Sequence, residues 1–482
     1  SYRSGDPFAV RPRSLSSSTV VPMPYPLEEE DLHTARRHGP VGMVLVLLAL
    51  AASPGATSLG LLGPNGLAAQ ELYLAGGTLV DPEAGEARRQ DLLIRDGMIV
   101  ATPSAPPEDF AGEILDVTGR WVIPGLIDLH THSFGNQAPG DGATEFMGVP
   151  GVAQRMLYAG VTAFLDLFSP EDQIFFVRNS QRENHSAGAD IFAAGPCMTA
   201  PEGHCSEYGI PTRLMSTPQE ARQQVRELAP KAPDVVKIVY SQFGRMPSVD
   251  QATMAAAVET AREFGIPTVI HVDAWDDVRD AAEAGASAVT HVPGDGVIPE
   301  DVLALMVERG VASIPTLAVQ TGVSDFTANP EQLDSPLARA VASDAVREAY
   351  RADELPERIE AWRRRQVSER DDVFASVKRM QEAGIDVLTG TDSGNLGTLQ
   401  GWSVHHELRQ LVAAGLSPAE ALAAGTTRAA RFLSLEYGVT EGSLANLVVL
   451  EASPLESIAN TETIVYVIHR GVVVERQAPI AK

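Results

Sequence analysis

The chain has 482 residues, 44% hydrophobic and 21% charged, which is enough apolar material for a large core and enough length for a barrel plus a second domain. Its formal net charge of -26 excludes nucleic acid and anionic membrane surfaces as partners, because both need a basic patch. No solenoid-type repeat and no basic stripe is present in the sequence.

Residues 1–69 read as a leader. Ser1 to Pro26 is rich in Ser, Pro and Arg without periodicity, the composition of a disordered segment. Arg36 and Arg37 precede an apolar run from Val41 to Ala52 that is too short for a stable membrane span and has the length of a secretory h-region. Gly66-Leu67-Ala68 offers small residues to a signal peptidase. The expectation is a signal peptide and a periplasmic or secreted protein. A hydrophobic helix packed on the domain and an uncleaved anchor are the alternatives, and a leader that is not a signal leaves the protein cytoplasmic. The acidic run Glu28-Glu29-Glu30-Asp31 departs from a clean signal, so translation can start at Met23 or Met43.

Residues 70–124 and 436–482 are expected to form one small β-sandwich from both chain ends. The first stretch alternates short apolar runs with turns, and Asp96-Gly97 before Met98-Ile99-Val100 is a hairpin signal. The second repeats the pattern in Asn446 to Leu450 and Ile464 to Ile468, with a turn at Arg470-Gly471.

Between them, residues 125–435 alternate apolar runs with helical stretches, the mark of repeated βα units. Eight strands are predicted: Gly125 to His132, Val161 to Leu167, Ile191 to Ala194, Val235 to Tyr240, Thr268 to His271, Ala288 to His291, Ala312 to Thr316 and Asp386 to Thr391. Helices are predicted over Pro218 to Leu228, Val249 to Phe264, Val278 to Ala284, Pro299 to Arg309 and Pro418 to Leu433. The polar stretch from Asp325 to Ala375 interrupts the series after its seventh strand, is expected to be helical with solvated charged faces, and should sit over the mouth where barrel loops grow. The fold class is α/β, a (β/α)8 TIM barrel with the β-sandwich.

Chemistry-bearing residues end these runs. His130 and His132 lie one residue apart in Leu126-Ile127-Asp128-Leu129-His130-Thr131-His132, and the strand period puts them on one face. Lys237, His271, His291 and Asp392 follow at or near the ends of later strands, where a barrel enzyme keeps its site. As an ordered set they resemble the amidohydrolase superfamily of metal-dependent hydrolases, in its imidazolonepropionase-like and prolidase-like branch, from about Glu71 to about Val474. Asn446 stands where many relatives carry Asp.

The resemblance implies a hydrolase with two divalent metal ions, zinc by preference, and carbon dioxide taken up by Lys237 as a bridging carbamate. One metal falls to His130, His132, Lys237 and Asp392, the second to Lys237, His271 and His291. An unmodified lysine beside metals would be repelled and penalised by burial; the alternative is a lysine that reaches solvent from the strand end. A metal-bridging hydroxide is the nucleophile, with Asp392 as base and then acid. Tyr240 is a candidate oxyanion donor or an aromatic rim residue. His204 resembles the substrate-facing loop histidine of that branch, and Asp273, two residues past His271, is a candidate substrate contact. Cys197 and Cys205 bracket the same loop, bonded if the protein is exported and free thiols otherwise.

The expected function is hydrolysis of an amide-type C-N bond in a dipeptide or N-acyl amino acid, with a small molecule as partner and a homo-oligomer left open. Lactone or phosphotriester hydrolysis is the alternative on the same metal core, and a catalytically dead, secreted metal-binding domain is the alternative from another class. A mononuclear deaminase fits less well, because His271 is followed by Val272-Asp273-Ala274 and not by a His-x-x-Glu pattern.

Overall fold

The computed structural model describes residues 71–140, 144–184, 187–242 and 244–479. The leader with its expected signal peptide lies outside the described residues. Among those described, no helix is long and apolar enough to cross a membrane.

Both chain ends meet in one six-stranded sheet, where Trp121–Pro124 pairs antiparallel with Leu447–Leu450. A four-stranded sheet containing Glu71–Ala75 and Leu92–Arg95 faces it, and Leu72, Leu74, Ile94, Val122, Leu447 and Ile468 form a shared core. Asp96 and Gly97 make the expected hairpin turn with φ of 50° and 78°. Both central residues of that turn need positive φ, which Asp tolerates and Gly adopts without a steric penalty.

The rest is an α/β fold with a parallel-stranded core and flanking helices. Leu126–Thr131, Val161–Asp166 and Asp190–Ala193 form one parallel set. Val236–Val239, Thr268–His271, Ala288–Thr290 and Ala312–Ile314 form another. The Asp234 amide donates to the Ala193 carbonyl at 2.9 Å between the two sets. The run expected as an eighth strand, Asp386 to Thr391, makes a single bridge, Val387 to Ser313, with Ser393 just beyond it bridging Thr131, and Leu129 N–H reaches Thr389 O at 3.0 Å. Gly390 is needed there: a Cβ at this position would lie 2.4 Å from Ile314 Cγ2 and 2.9 Å from the His130 Cβ.

Strand alternation sorts the side chains. Val235, Val269, Ala312, Ile127 and Leu388 pack inside, while Val236, Ile238 and Ile270 pack outward against the helices. Pro218–Leu228 forms as expected, with the Thr217 side chain accepting from the Glu220 amide. The helix expected over Pro418 to Leu433 splits into Pro418–Ala424 and Thr427–Phe432. The carbonyls of Ala424 and Gly425 accept from Thr389 and Ile127 instead, so the strands compete for that helix's hydrogen bonds. Helices Gly148–Tyr158, Glu171–Asn184 and Trp402–Ala413 were not anticipated.

The polar stretch expected from Asp325 to Ala375 is helical, in the end of Leu317–Ala328 and in Pro336–Val341, Asp344–Ala349 and Glu357–Glu382. Tyr350 ties it to loops beyond the first and last strands, donating to Gln137 O at 2.9 Å and accepting from Gly397 N at 2.8 Å. Its charges are not all solvated. Asp325 is buried and bonded by Arg370 at 2.6 and 3.1 Å and by His406 at 3.1 Å, because the apolar face of Leu317–Ala328 carries it inward against Trp402–Ala413. Burial alone would raise the Asp325 carboxyl, but the His406 and Arg370 hydrogen bonds hold it at about 2. A carboxylate depressed in the folded state stabilises it above about pH 4 and loses that contribution as pH falls toward about 2. Asp325→Asn is therefore expected to lower stability by ~2 kcal/mol near neutral pH, with the difference from the native protein narrowing through that acid window. Urea melts at several pH values check this, and a difference independent of pH would contradict it.

Candidate metal centre

The strand ends bring the expected ligands together. His132 Nε2 lies 2.8 Å and His130 Nε2 3.2 Å from Asp392 Oδ1, and the donor atoms of these three residues are all within 4.8 Å of one another, a set able to hold a metal ion. The imidazoles continue as a row. Ring centroids are 5.2 Å apart for His132 and His130, 5.1 Å for His130 and His291, 4.6 Å for His291 and His271, and 4.7 Å for His271 and His204.

Hydrogen bonds behind the row aim the ring nitrogens. His130 Nδ1 pairs with Thr290 Oγ1 at 2.6 Å, and His291 Nδ1 with Thr316 Oγ1 at 2.8 Å. Thr316 gives its own proton to the Pro315 carbonyl at 2.7 Å, so it accepts from His291 Nδ1–H and leaves Nε2 as a lone pair for a cation. Asp128 clamps two ligand segments at once, accepting from the His130 amide at 3.1 Å and from Thr391 N and Oγ1 at 3.0 and 2.6 Å. Asp166 takes the Ser133 amide at 2.9 Å and Ser169 Oγ at 2.8 Å beside His132.

Electrostatics favour a cation here. Burial pushes His130 and His291 well below the ordinary imidazole range, keeping them neutral, the state that ligates. Burial would raise Asp392, yet His130 and His132 hold it well below the usual carboxylate range. Lys237 is buried and its Nζ makes no hydrogen bond among the described residues; burial brings the amine down to about 7. His132 Nδ1 is likewise buried without a partner. His291 and Asp392 sit at φ of 72° and 58°, and Thr316 at 56°, left-handed conformations that non-glycine residues adopt at a cost and that cluster at functional sites.

The loop expectations divide. His204 faces His271, and its Nδ1 pairs with Glu207 at 2.6 Å. Cys197 and Cys205 form a disulfide. Asp273 Oδ2 lies 3.6 Å from His271 Nε2 and accepts from Ser241 Oγ. Asp273→Asn is expected to change KM about fivefold, more than kcat, with opposite signs for cationic and anionic substrates; identical kinetics across the two would show that this carboxylate is not read by the substrate.

Tyr240 does not belong to the site. Its hydroxyl donates to Asp280 Oδ2 on helix Trp275–Ala284, and it is buried with Val236 and Ile238 on the outward face. Alternation from Lys237 puts residue 240 on the opposite side of the strand. The aromatic hydroxyl near the ligands is Tyr208, whose ring lies 6.1 Å from His204 and whose phenol is pushed up by burial and by Glu207 and Asp392. It lies four residues past His204 in the same loop, the one sequence signal for it.

A buried His/His/Asp cluster at strand ends, in an α/β fold with its ligands oriented from behind, defines a metal-associated hydrolase. The comparisons give the family. The chain belongs to the amidohydrolase family, which it matches over residues 121–474. A crystal structure of a Xaa-Pro dipeptidase with bound methionine superposes with a TM-score of 0.69 at 20% identity, covering 84% of this chain and 100% of that one. A putative prolidase from Bifidobacterium longum has a TM-score of 0.67 at 26% identity over 86% and 96% of the two chains. An imidazolonepropionase from Chloroflexus aggregans is 24% identical over 314 residues, 54% of this chain and 73% of that protein. The similarity includes the prolidase and imidazolonepropionase branch, and the protein is a hydrolase of C-N bonds.

Proposed function

We propose that the protein hydrolyses the amide-type C-N bond of a dipeptide or N-acyl amino acid, with two divalent ions, zinc by its imidazole and carboxylate donor set, bridged by carboxylated Lys237. The observation that carries this reading is the buried Lys237 amine, without a hydrogen-bond partner among the described residues and set where its charge acts on His130, His271, His291 and Asp392. An uncompensated ammonium there is costly. Addition of carbon dioxide to the neutral amine, with loss of one proton, turns it into an anion that two cations can share. The strand-to-strand hydrogen bonds from Leu126–Thr131 round to Thr389 support a closed eight-stranded barrel around the site. The Cys197–Cys205 disulfide supports export.

His130, His132, Lys237 and Asp392 would hold one ion and Lys237, His271 and His291 the other. Bound there, the ions supply Lewis acidity toward the attacking water and the scissile carbonyl. Asp392, held ionised by its two histidine neighbours and positioned by Asn395 Nδ2 at 2.9 Å, accepts the water's proton and returns it to the departing nitrogen as the C-N bond breaks. His204, its Nδ1 tied to Glu207, directs its other nitrogen to a polar group of the substrate. The prolidase and Xaa-Pro dipeptidase names among the structural neighbours support a peptide-like substrate.

Metal analysis of the purified protein joined to a screen of dipeptides and N-acyl amino acids tests the proposal. About two equivalents of a divalent metal and turnover of at least one amide are expected. A single equivalent would remove the bridge, and lactone or phosphotriester turnover without any amide turnover would reassign the substrate class.

A further inference from the structure

The imidazole row is only half of the wall around the centre. From its two ends, aromatic rings complete the circuit. Phe134 stacks on His132 with centroids 5.6 Å apart and planes 13° from parallel. Tyr208 meets Phe134 at 6.2 Å and His204 at 6.1 Å, so ring contacts run unbroken from one end of the row to the other. Phe168 backs both, 6.0 Å from Phe134 and 6.1 Å from Tyr208.

This second half is built, not incidental. Phe168 is buried and packs with Cys197, Cys205 and Val239 as a separate apolar cluster, so the disulfide pins the loop three residues before Tyr208. Phe134 and Tyr208 are only half-buried, which leaves part of each ring open. Phe134 follows His132 by two residues in the same loop, so its position is set by the ligand itself. A phenol is neutral near pH 7, so neither ring of this half of the wall carries a charge.

We propose that Phe134 and Tyr208 are the specificity-determining residues of the site, and that they receive a flat apolar group, an aromatic ring, attached next to the scissile bond. Groups to be cleaved are polar and must lie against the imidazole half, so whatever is attached to them is turned toward the aromatic half. Ring faces and edges at these separations favour another ring over an alkyl chain, because offset-stacked and edge-on contacts add to area burial. The inference deepens the hydrolase proposal and rests on it for the word substrate, but the wall's preference can be read without turnover.

The test uses the purified, metal-containing protein. Calorimetric binding of 3-phenylpropionate is compared with that of propionate, and hydrolysis of N-acetylphenylalanine with that of N-acetylalanine. The phenyl member should be favoured by about tenfold or more in both comparisons. Tyr208→Phe should keep the ratio, whereas Tyr208→Ala and Phe134→Leu should each lower it about tenfold, the leucine variant keeping enough bulk to preserve the fold as checked by melting. No phenyl preference in the native protein, or a preference that survives both Tyr208→Ala and Phe134→Leu, overturns the inference. A binding preference that is lost in those variants, in a protein that cleaves neither amide, upholds the wall and counts against the hydrolase proposal instead.

Discussion

Lys237→Ala is expected to lose metal and activity together while keeping a folded chain. The side chain is buried among histidines with no hydrogen bond to lose among the described residues, and its strand neighbours Val236, Ile238 and Val239 remain packed, so truncation leaves the core standing. On the proposed reading, what disappears is the bridging anion, and with it the means of holding two like-charged ions side by side. Turnover should fall by about a thousandfold or more, several kcal/mol of lost transition-state stabilisation. A short carboxylic acid added to the variant should restore part of the activity by taking the bridge's place. Full metal content and native turnover in Lys237→Ala without added acid would leave a single-metal enzyme as the better account.

Asp392→Asn carries the second large effect. Its Oδ1 is the point on which His130 and His132 converge, and its backbone is fixed by the hydrogen bond that its N–H donates to the His130 carbonyl at 2.7 Å. Asparagine is nearly the same shape and can keep that backbone bond, but it cannot accept the proton of the attacking water. Turnover should drop by about a hundredfold or more, the scale of a lost general base. Metal content separates the roles: a variant that retains metal and loses turnover marks Asp392 as the proton carrier, and near-native turnover would remove it from that role.

The candidate ligands are legible because each lies in or at the end of an apolar run, where a charged or imidazole side chain interrupts an otherwise buried strand. His130, His132, Lys237, His271, His291 and Asp392 all meet at one place for that reason. Tyr240 falls outside the site, and the sequence carries the reason, since counting from Lys237 sends it to the outer face with Ile238. The residues that aim the ligands were not legible. Thr290 lies on another strand than His130, and Thr316 caps the helix after a later strand than the one before His291, so Thr–His contacts across 160 and 25 residues leave no local pattern. Helix Trp402–Ala413 escaped for a related reason. It buries His405, His406 and Glu407 in a row, which hides the polar stripe that marks a surface helix, and each finds its partner far along the chain, at Thr461, Asp325 and the Ala318 amide.

The left-handed backbone at His291, Thr316 and Asp392 has a consequence for anyone who would evolve this protein for robustness. Each of these residues gives up about 1 kcal/mol or more to hold a conformation that glycine adopts without strain, so replacing any of them by glycine relieves that strain while removing a ligand or the hydroxyl that aims one. A library screened by heat resistance alone exerts no pressure to keep the side chains that these strained positions hold in place, and it drifts away from catalysis unless every round also demands turnover.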